Sequence, residues 1–302
     1  MSEHYPRVRI ETKDGYTRIR EGLSLTFYLL PRHPEYAADV LRALDIYLRH
    51  VGPDALGLYA DMEGYMQPLN TAGWEVTRRE LRERAHPVVL LEEKNPAGAR
   101  YAFHYKGSDK EFIARANKPD AMCEAIFCLP TEYLEEHGPG RVRDLAIELA
   151  TLLPVCSGFC GLSFNGELDL AGMARKLWPY WKRYPGIDIP DACGHSEDMG
   201  QRIRGPHWVN FIGPPVLEEL GGVSGLRERL KSPETTVEEL PGDKVAITLG
   251  PWPEAGDTEK GQVLPAYREL ARVLEPWLYH RPLAMLDKPL EETRRWERRF
   301  LD

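Results

Sequence analysis

The chain of 302 residues is long enough for one large domain or for two domains of the usual size of about 150 residues. Hydrophobic residues make up 42% and charged residues 28%, a globular balance that excludes a disordered chain and a coiled coil. Asp and Glu total 47 against 39 Lys and Arg, which gives a net charge of −8. Because an acidic chain lacks the basic surface that neutralises phosphates, we expect no direct contact with nucleic acid.

The sequence favours a cytoplasmic protein without membrane contact. No stretch approaches the roughly 18 apolar residues of a membrane-spanning helix. Residues 1–20 are polar and charged, unlike the apolar centre of a signal peptide. Five cysteines are too few, and odd in number, for a disulfide framework, so they are predicted to be reduced and mostly buried. They are Cys123, Cys128, Cys156, Cys160 and Cys193.

A unit of strand, proline break, helix and strand recurs along the chain. Its first copy has a strand from Leu23 to Pro31, an amphipathic helix from Pro34 to His50 and a second strand at residues 55–60. The charged segment from Trp74 to Arg84 then predicts a surface helix, and the alternating segment from Ala99 to Gly107 predicts a strand.

Two further copies of the unit follow. The second has a strand from Glu124 to Pro130, a helical stretch broken at residues 138–140 that continues as a strong helix to Leu153, and a strand at 161–166. The third and weaker copy begins with a strand from Trp208 to Pro215 and returns as a strand from Lys244 to Gly250.

The remaining segments are helical. Leu168 to Tyr184 and Leu264 to His280 repeat apolar residues at helical spacing, and residues 290–302 predict a short helix that packs back onto the body. Strands interrupted by helices indicate an α+β, or mixed α/β, fold in which a mixed β-sheet is flanked by helices. Turns are spread throughout, so we expect a single compact domain over residues 1–302, with 1–115 and 116–302 as alternative subdomains.

Signatures of nucleotide and metal chemistry are missing from the sequence. It has no G-x-x-x-x-G-K-[ST] loop, no G-x-G-x-x-G after a strand and no H-E-x-x-H pair. The nine histidines and the cysteine pairs also lack the spacing of zinc ligands. We therefore expect no cofactor, no metal and no catalytic residue.

One segment resembles part of a hydrolase motif. The residues around Ser163 begin like a nucleophile elbow, but Asn165 replaces the closing glycine of G-x-S-x-G. Asp188 and His195 follow in the serine, acid, histidine order of that fold. A hydrolase would have a concave pocket that joins Ser163 to His195 or His207. A strand that ends in a turn is the simpler interpretation.

Two loops combine carboxylates with the aromatic and thioether side chains that are enriched at protein interfaces. The first follows the strand at 55–60, and the second follows the strand that ends at Gly250. Ordinary loop packing is the alternative for both, and acid–base or metal chemistry is a further one for the first. We predict that six residues of these loops contact a protein partner: Asp61, Glu63, Tyr65, Trp252, Glu254 and Asp257.

Several blocks of the sequence resemble the type VI immunity family, which is frequent in myxobacteria and other Gram-negative bacteria. The resemblance extends from about Gly22 to the C-terminus. In chain order the blocks are LYADMEG, GLSFNGELD, WVNFIGPPVLEELGG, LGPWPEAGD, LPAYRELARVLEPWLY and WERRFLD.

The resemblance implies an immunity protein that binds one cognate type VI secretion toxin and blocks it, which protects the producer and its kin. Toxins of such systems are often nucleases that act in the cytoplasm. Since a nuclease binds phosphate in a basic groove, the net charge of −8 suits an inhibitor of a basic protein. Two alternatives stay open: a hydrolase of unknown substrate and a non-catalytic secretion-system adaptor. A gene position directly beside a toxin gene would favour the immunity role.

Overall fold

The computed structural model describes residues 3–94, 100–168, 170, 172–190, 194–282 and 288–302. Within these ranges eleven strands form one sheet in which every strand pair is antiparallel. The strands are β1 (Arg9–Glu11), β2 (Thr17–Leu29), β3 (Leu58–Ala60), β4 (Met66–Pro68), β5 (Val88–Glu92), β6 (Ala102–Lys106), β7 (Cys123–Pro130), β8 (Val155–Gly166), β9 (Val209–Ile212), β10 (Thr235–Leu240) and β11 (Lys244–Leu249).

Helices surround this sheet, which confirms the predicted α+β class. The prediction of a mixed sheet is wrong for the described strands: β7 and β8 run in the same direction but do not pair with each other, because β2 lies between them and is antiparallel to both. The helices of the described residues are α1 (His33–Val51), α2 (Thr71–Glu83), α3 (Lys110–Ala116), α4 (Thr131–Leu152), α5 (Met173–Trp181), α6 (Val216–Glu219), α7 (Gly222–Arg229), α8 (Pro265–Leu274) and α9 (Leu290–Glu297). In the same part of the chain, no helix is both long and apolar enough to cross a membrane.

The sheet order is β10-β11-β9-β8-β2-β7-β6-β5-β3-β4, and β1 pairs with β2 outside this path. The predicted strand and helix units are present in a split form. Strands β7 and β8 are joined by α4 and run in the same direction, with β2 between them. In the same way, β9 and β10 are joined by α6 and α7, with β11 between them. In the first unit, α1 leads instead to β3, close to the far edge of the sheet.

Strand β2 lies at the centre of the sheet and pairs with both β7 and β8 along most of its length. Successive side chains of a strand point to opposite faces. Leu23, Leu25 and Phe27 belong to the main hydrophobic core, together with residues of α1 and α4. Tyr28 lies on the other face, in a smaller cluster with Phe159. Both faces of the sheet are therefore covered near β2.

Aromatic contacts fill the core beneath the helices. The ring of Phe127 lies 5.0 Å from that of Phe103 and 5.4 Å from that of Tyr47, measured between centroids. The Tyr47 hydroxyl donates a hydrogen bond to the Cys128 carbonyl at 2.5 Å, so α1 is fixed to β7 by a polar contact as well. Such edge-on and tilted ring pairs add to the free energy gained by burying their area.

Helix α4 contains the predicted break. Gly138 has a φ of 76°, which interrupts the helical conformation before the strong second half of α4 begins. At the other end of α4, the buried Lys244 ammonium donates to the carbonyl of Ala150 at 2.5 Å and to that of Leu153 at 2.7 Å. A cation at a helix C-terminus satisfies carbonyls that have no partner inside the helix. Strand β11 thus stabilises the end of α4.

The N-terminal segment is joined to α4 by charged groups. Arg20, which is buried, donates to both carboxylate oxygens of Glu132 at 2.6 and 2.5 Å, and Arg9 donates to the same side chain at 2.6 Å. Burial alone would raise the pKa of Glu132. The hydrogen bonds from the two arginines outweigh burial and hold this pKa at about 2.

We expect Glu132→Gln to reduce the free energy of unfolding at neutral pH by about 1–2 kcal/mol, discounted for a side chain that is one-third exposed. Because the folded state lowers the pKa of Glu132, its contribution is present above the ordinary glutamate pKa and is lost as the pH falls towards 2. Urea unfolding at neutral and acidic pH should therefore show a weaker acid dependence for this variant. Glu136→Gln, at a position that is 75% exposed, is the control, and an equal change in both variants would contradict the assignment.

Candidate functional site

The first predicted loop is the tip of the hairpin that joins β3 to β4. The Gly64 amide donates to the Asp61 carbonyl at 3.0 Å, and the Asp61 carboxylate accepts hydrogen bonds from the Tyr65 amide at 2.8 Å and from Gln67 at 2.8 Å. The bond from Gln67, helped by those from the turn, lowers the pKa of Asp61. Asp61 therefore shapes the turn, and its carboxylate is committed to that role.

Large apolar side chains are exposed at this hairpin tip. Met62 is 79% exposed, Tyr65 is 69% exposed and Met66 is 37% exposed, and Glu63 is exposed between them. The Met62 sulfur also lies 3.4 Å from a guanidinium nitrogen of Arg84. Exposed apolar groups beside charged ones are typical of surfaces that bind other proteins. Met66 was not among the predicted residues because its three-residue strand was not recognised.

The second predicted loop is held by contacts within the protein. The Trp252 ring stacks on His4, with centroids 4.8 Å apart and planes 3° from parallel. The His4 ring nitrogen Nδ1 lies 2.6 Å from an oxygen of Glu254. Burial raises the pKa of Glu254, and His4 opposes this shift. Trp252 and Glu254 are half-buried, and their contacts with His4 hold the N-terminal segment in place.

Asp257 is the most buried of the predicted residues in this loop. Its carboxylate accepts two hydrogen bonds from Arg183 at 2.9 and 2.8 Å, and it also accepts the Glu259 amide at 3.1 Å at the start of a short 3₁₀ turn. The interaction with Arg183 is the main reason why the pKa of Asp257 is lowered. Only 5% of Asp257 is exposed, so its charge serves to fix the segment that follows.

The structure does not bring the two loops together. The hairpin tip follows β3, and the second loop follows β11. Six strands lie between β3 and β11, and seven strand spacings of about 4.8 Å give a separation of roughly 34 Å. An odd number of antiparallel steps also reverses the chain direction, so the loops leave the sheet at opposite ends. The prediction of six interface residues thus corresponds to two separate surfaces.

A buried charged cluster lies beside β8, where the hydrolase alternative placed its catalytic groups. Arg204 donates to Asp188 at 2.6 Å, and its other terminal nitrogen lies 2.8 Å from His195 Nδ1. His207 Nε2 lies 3.5 Å from the second Asp188 oxygen. Burial would raise the pKa of Asp188, but Arg204 outweighs burial and lowers it. Burial lowers the pKa of His207 to about 4, so this ring is neutral at physiological pH.

Ser163 is not placed for nucleophilic attack. It lies in the long strand β8, is completely buried and donates its hydroxyl to Asn165 at 2.7 Å. The Asp188 backbone pairs with the same strand through hydrogen bonds to Leu162 and Phe164, at 2.8 and 3.0 Å. The structure therefore agrees with the prediction that Ser163 lies in a strand. Asp188 and Arg204 fix the segment that covers β8.

Four of the five cysteines are free and buried, as predicted, and Cys193 lies outside the described residues. Burial raises the pKa of Cys128 to about 12 and that of Cys156 to about 11, which keeps both thiols protonated and unreactive. Among the described residues, no group of three or more His, Cys, Asp or Glu side chains is arranged to hold a metal ion.

A family model described as type VI immunity for VRR-NUC matches residues 39–300. The chain belongs to this type VI immunity family. The resemblance of its sequence blocks to type VI immunity proteins is thereby confirmed. No curated relative matches the chain at a significant level.

The fold of this type VI immunity protein is also found in a solved structure. It is similar to the Pseudomonas aeruginosa T6SS protein PA0821, with a TM-score of 0.79 and 21% sequence identity. The match covers 97% of this chain and 87% of the other. At this level of identity, the similarity shows a shared fold.

We expect Asp188→Asn to reduce the free energy of unfolding by about 3–5 kcal/mol, because the buried Arg204 would lose the carboxylate that is its main counter-charge. Urea unfolding measures the change, with the exposed Asp54→Asn as control. Replacing both partners by apolar residues, Asp188→Leu with Arg204→Met, should cost less than the sum of the single changes. Equal effects of Asp188→Asn and Asp54→Asn would show that the pair has no structural role.

Proposed function

We propose that this protein binds a type VI toxin with a VRR-NUC nuclease domain and neutralises it in the cytoplasm of the producing cell. Membership of the immunity family over residues 39–300 carries this proposal. The acidic balance supports it, since a protein of net charge −8 is attracted to the basic groove in which a nuclease holds phosphate. Such attraction increases the association rate and the selectivity more than the affinity.

The proposed inhibition is non-catalytic and occurs through binding. Ser163, the best nucleophile candidate in the sequence, is completely buried and hydrogen-bonded within its own strand. His207 is held neutral and packed against Phe159, with ring centroids 3.6 Å apart. These groups have structural contacts that account for their positions. We further propose that residues 1–302 act as one domain, since β2, in the first candidate subdomain, pairs with β7 and β8 of the second.

We assign the direct toxin contact to the hairpin tip between β3 and β4. Tyr65 and Met62 supply exposed apolar area, and Glu63 supplies an exposed carboxylate beside them. Interface affinity usually depends on a few aromatic and apolar side chains that become desolvated on binding. In this proposal Asp61 holds the turn in shape. Of the other predicted interface residues, Trp252, Glu254 and Asp257 support the opposite end of the protein.

Tyr65→Ala combined with Met62→Ala should weaken binding to the VRR-NUC domain of the toxin by at least about 2 kcal/mol, or roughly thirtyfold. Calorimetry on the purified proteins measures the affinity, and growth of cells that express the toxin measures protection. Leu170→Ala, at an exposed apolar position at the other end of the sheet, is the matched control. Unchanged affinity of the hairpin variant would place the interface elsewhere, whereas no complex with wild-type protein would exclude the toxin-binding function.

Ser163→Ala distinguishes the binding mechanism from hydrolysis. We expect this variant to protect toxin-expressing cells as wild type does, because the hydroxyl is buried and donates its hydrogen bond to Asn165 within the protein. The lost hydrogen bond should lower the free energy of unfolding by about 1 kcal/mol. Loss of protection by a variant that is folded and still binds the toxin would support catalysis instead.

A further inference from the structure

Alternate side chains of β3 and β5 point away from the main hydrophobic core. Val89 and Leu91 of β5 belong to this core, and Tyr59 of β3 packs against it. Because successive side chains of a strand point to opposite faces, the residues next to them lie on the other face of the sheet. Met66 of β4 shares that face, since it pairs directly with Ala60 of β3. We call these residues the outer patch: Leu58, Ala60, Met66, Val88 and Leu90.

All five residues of the outer patch are apolar, yet none of them is buried. Val88 is 62% exposed and Met66 is 37% exposed, and the other three are partly exposed. An antiparallel sheet with one solvated face normally alternates hydrophobic residues towards the core with polar residues towards water. Three neighbouring strands depart from this pattern at the same place. Single exposed apolar side chains are common, but a contiguous group of them is typical of a binding surface.

Charged side chains lie at both ends of the outer patch. At one end, Lys106 of β6 pairs with Val88 in the register of the sheet, and its ammonium lies 2.8 Å from a carboxylate oxygen of Glu197. At the other end, Glu92 of β5 lies opposite Leu58. An apolar centre with a polar border is the usual composition of a protein interface.

The outer patch is continuous with the hairpin tip. Met66 belongs to both surfaces, and Met62 follows Ala60 where β3 enters the turn. A stable interface usually buries about 800 Å² on each partner. Met62, Tyr65 and Met66 fall short of this area, because even an aromatic side chain buries only about 150–250 Å² and none of the three is fully exposed. The toxin contact proposed above therefore needs a further area, and the outer patch adjoins it.

The dimensions of the outer patch fit one helix. Three strands at a spacing of about 4.8 Å are roughly 14 Å wide. An α-helix with its side chains has a diameter of about 10–12 Å, so a single helix covers this width. Helix α2 packs on β5 in this way from the core side. A second copy of the chain is a poorer occupant, because two proteins of net charge −8 repel each other.

We propose that the outer patch binds an amphipathic helix of the toxin, beside the contact made by the hairpin tip. This inference rests on the proposed toxin binding. Apolar side chains of the helix, spaced three and four residues apart, pack against Val88, Leu90 and Ala60. The outer patch supplies affinity by desolvation of apolar side chains, whereas the net charge of the protein mainly increases the association rate.

Val88→Asn in the full-length protein tests this proposal by calorimetry with the VRR-NUC domain of the toxin. Because Val88 is 62% exposed, we expect the variant to fold and to bind several-fold more weakly. Adding Leu90→Asn should increase the loss to about tenfold or more. Val263→Asn is the matched control: it makes the same change at a valine that is 69% exposed, in the segment before α8, and should leave the affinity unchanged. Circular dichroism and thermal unfolding confirm that each variant is folded.

A photoreactive benzoylphenylalanine introduced at position 88 identifies the occupant. We expect cross-links to toxin residues that are spaced three or four apart, as on one side of a helix. Cross-links to alternate residues would indicate a strand and would contradict the proposed helix.

The inference and the proposed function can fail separately. If Val88→Asn with Leu90→Asn binds as tightly as wild type while Tyr65→Ala with Met62→Ala binds more weakly, the outer patch is not part of the interface and the proposed function stands. Absence of any complex with wild-type protein would overturn the proposed function itself. A wild-type dimer that the outer-patch variant dissociates, with unchanged toxin affinity, would assign the outer patch to a second copy of the chain and overturn the inference.

Discussion

The structure depends on the burial of strand β2 on both faces and along both edges. A central strand of this kind must satisfy all of its backbone groups through its neighbours, and β7 and β8 provide these partners. The side chains on its two faces differ in polarity. Leu25 and Phe27 need a hydrophobic layer, which α1 and α4 supply, whereas Ser24, Thr26 and Tyr28 bring hydroxyl groups to the other face. The opposite face is consequently the more polar one, and part of it is covered by a segment held through buried charges.

The ion pair of Asp188 and Arg204 is a consequence of this arrangement. The covering segment buries apolar side chains such as Ile187 and Ile189, and it is also fixed by backbone pairing to Leu162 and Phe164 and by the buried ion pair. His207 completes the layer as a neutral ring stacked on Phe159. Groups that resemble a catalytic set in the sequence are thus used to attach one layer of the protein to another.

The distribution of charge is more informative than its sum. The protein has a net charge of −8, but the charged residues that line a cavity at Trp181 and Trp296 are mainly cations. The hairpin tip combines exposed apolar groups with Glu63, and it lies at the opposite end and towards the opposite edge of the sheet. Two surfaces of different chemistry are therefore available on one chain.

The sequence alone determined the elements whose side chains have a strong period. The helix of residues 33–51, the break at Gly138, strand β7 and the second halves of β2 and β8 follow from apolar spacing and glycine geometry, and so does the α+β class. Strand β10 was missed because an edge strand exposes side chains such as Glu238 and Glu239, which leaves little hydrophobic pattern to detect. The three-residue strands β1 and β4 are too short to show a period.

Only the tertiary structure decided what the candidate residues do. The residue content of the Tyr65 loop and of the Trp252 loop predicts a protein interface equally well, because both loops combine acidic with aromatic side chains. Their difference depends on partners distant in the chain: Trp252 stacks on His4 and Asp257 binds Arg183, whereas Tyr65 is exposed at a hairpin tip. Strand order separates the two loops, and strand order arises from pairings between distant segments that no local pattern encodes. Local chemistry therefore identified candidate residues, and long-range packing determined which of them a partner can reach.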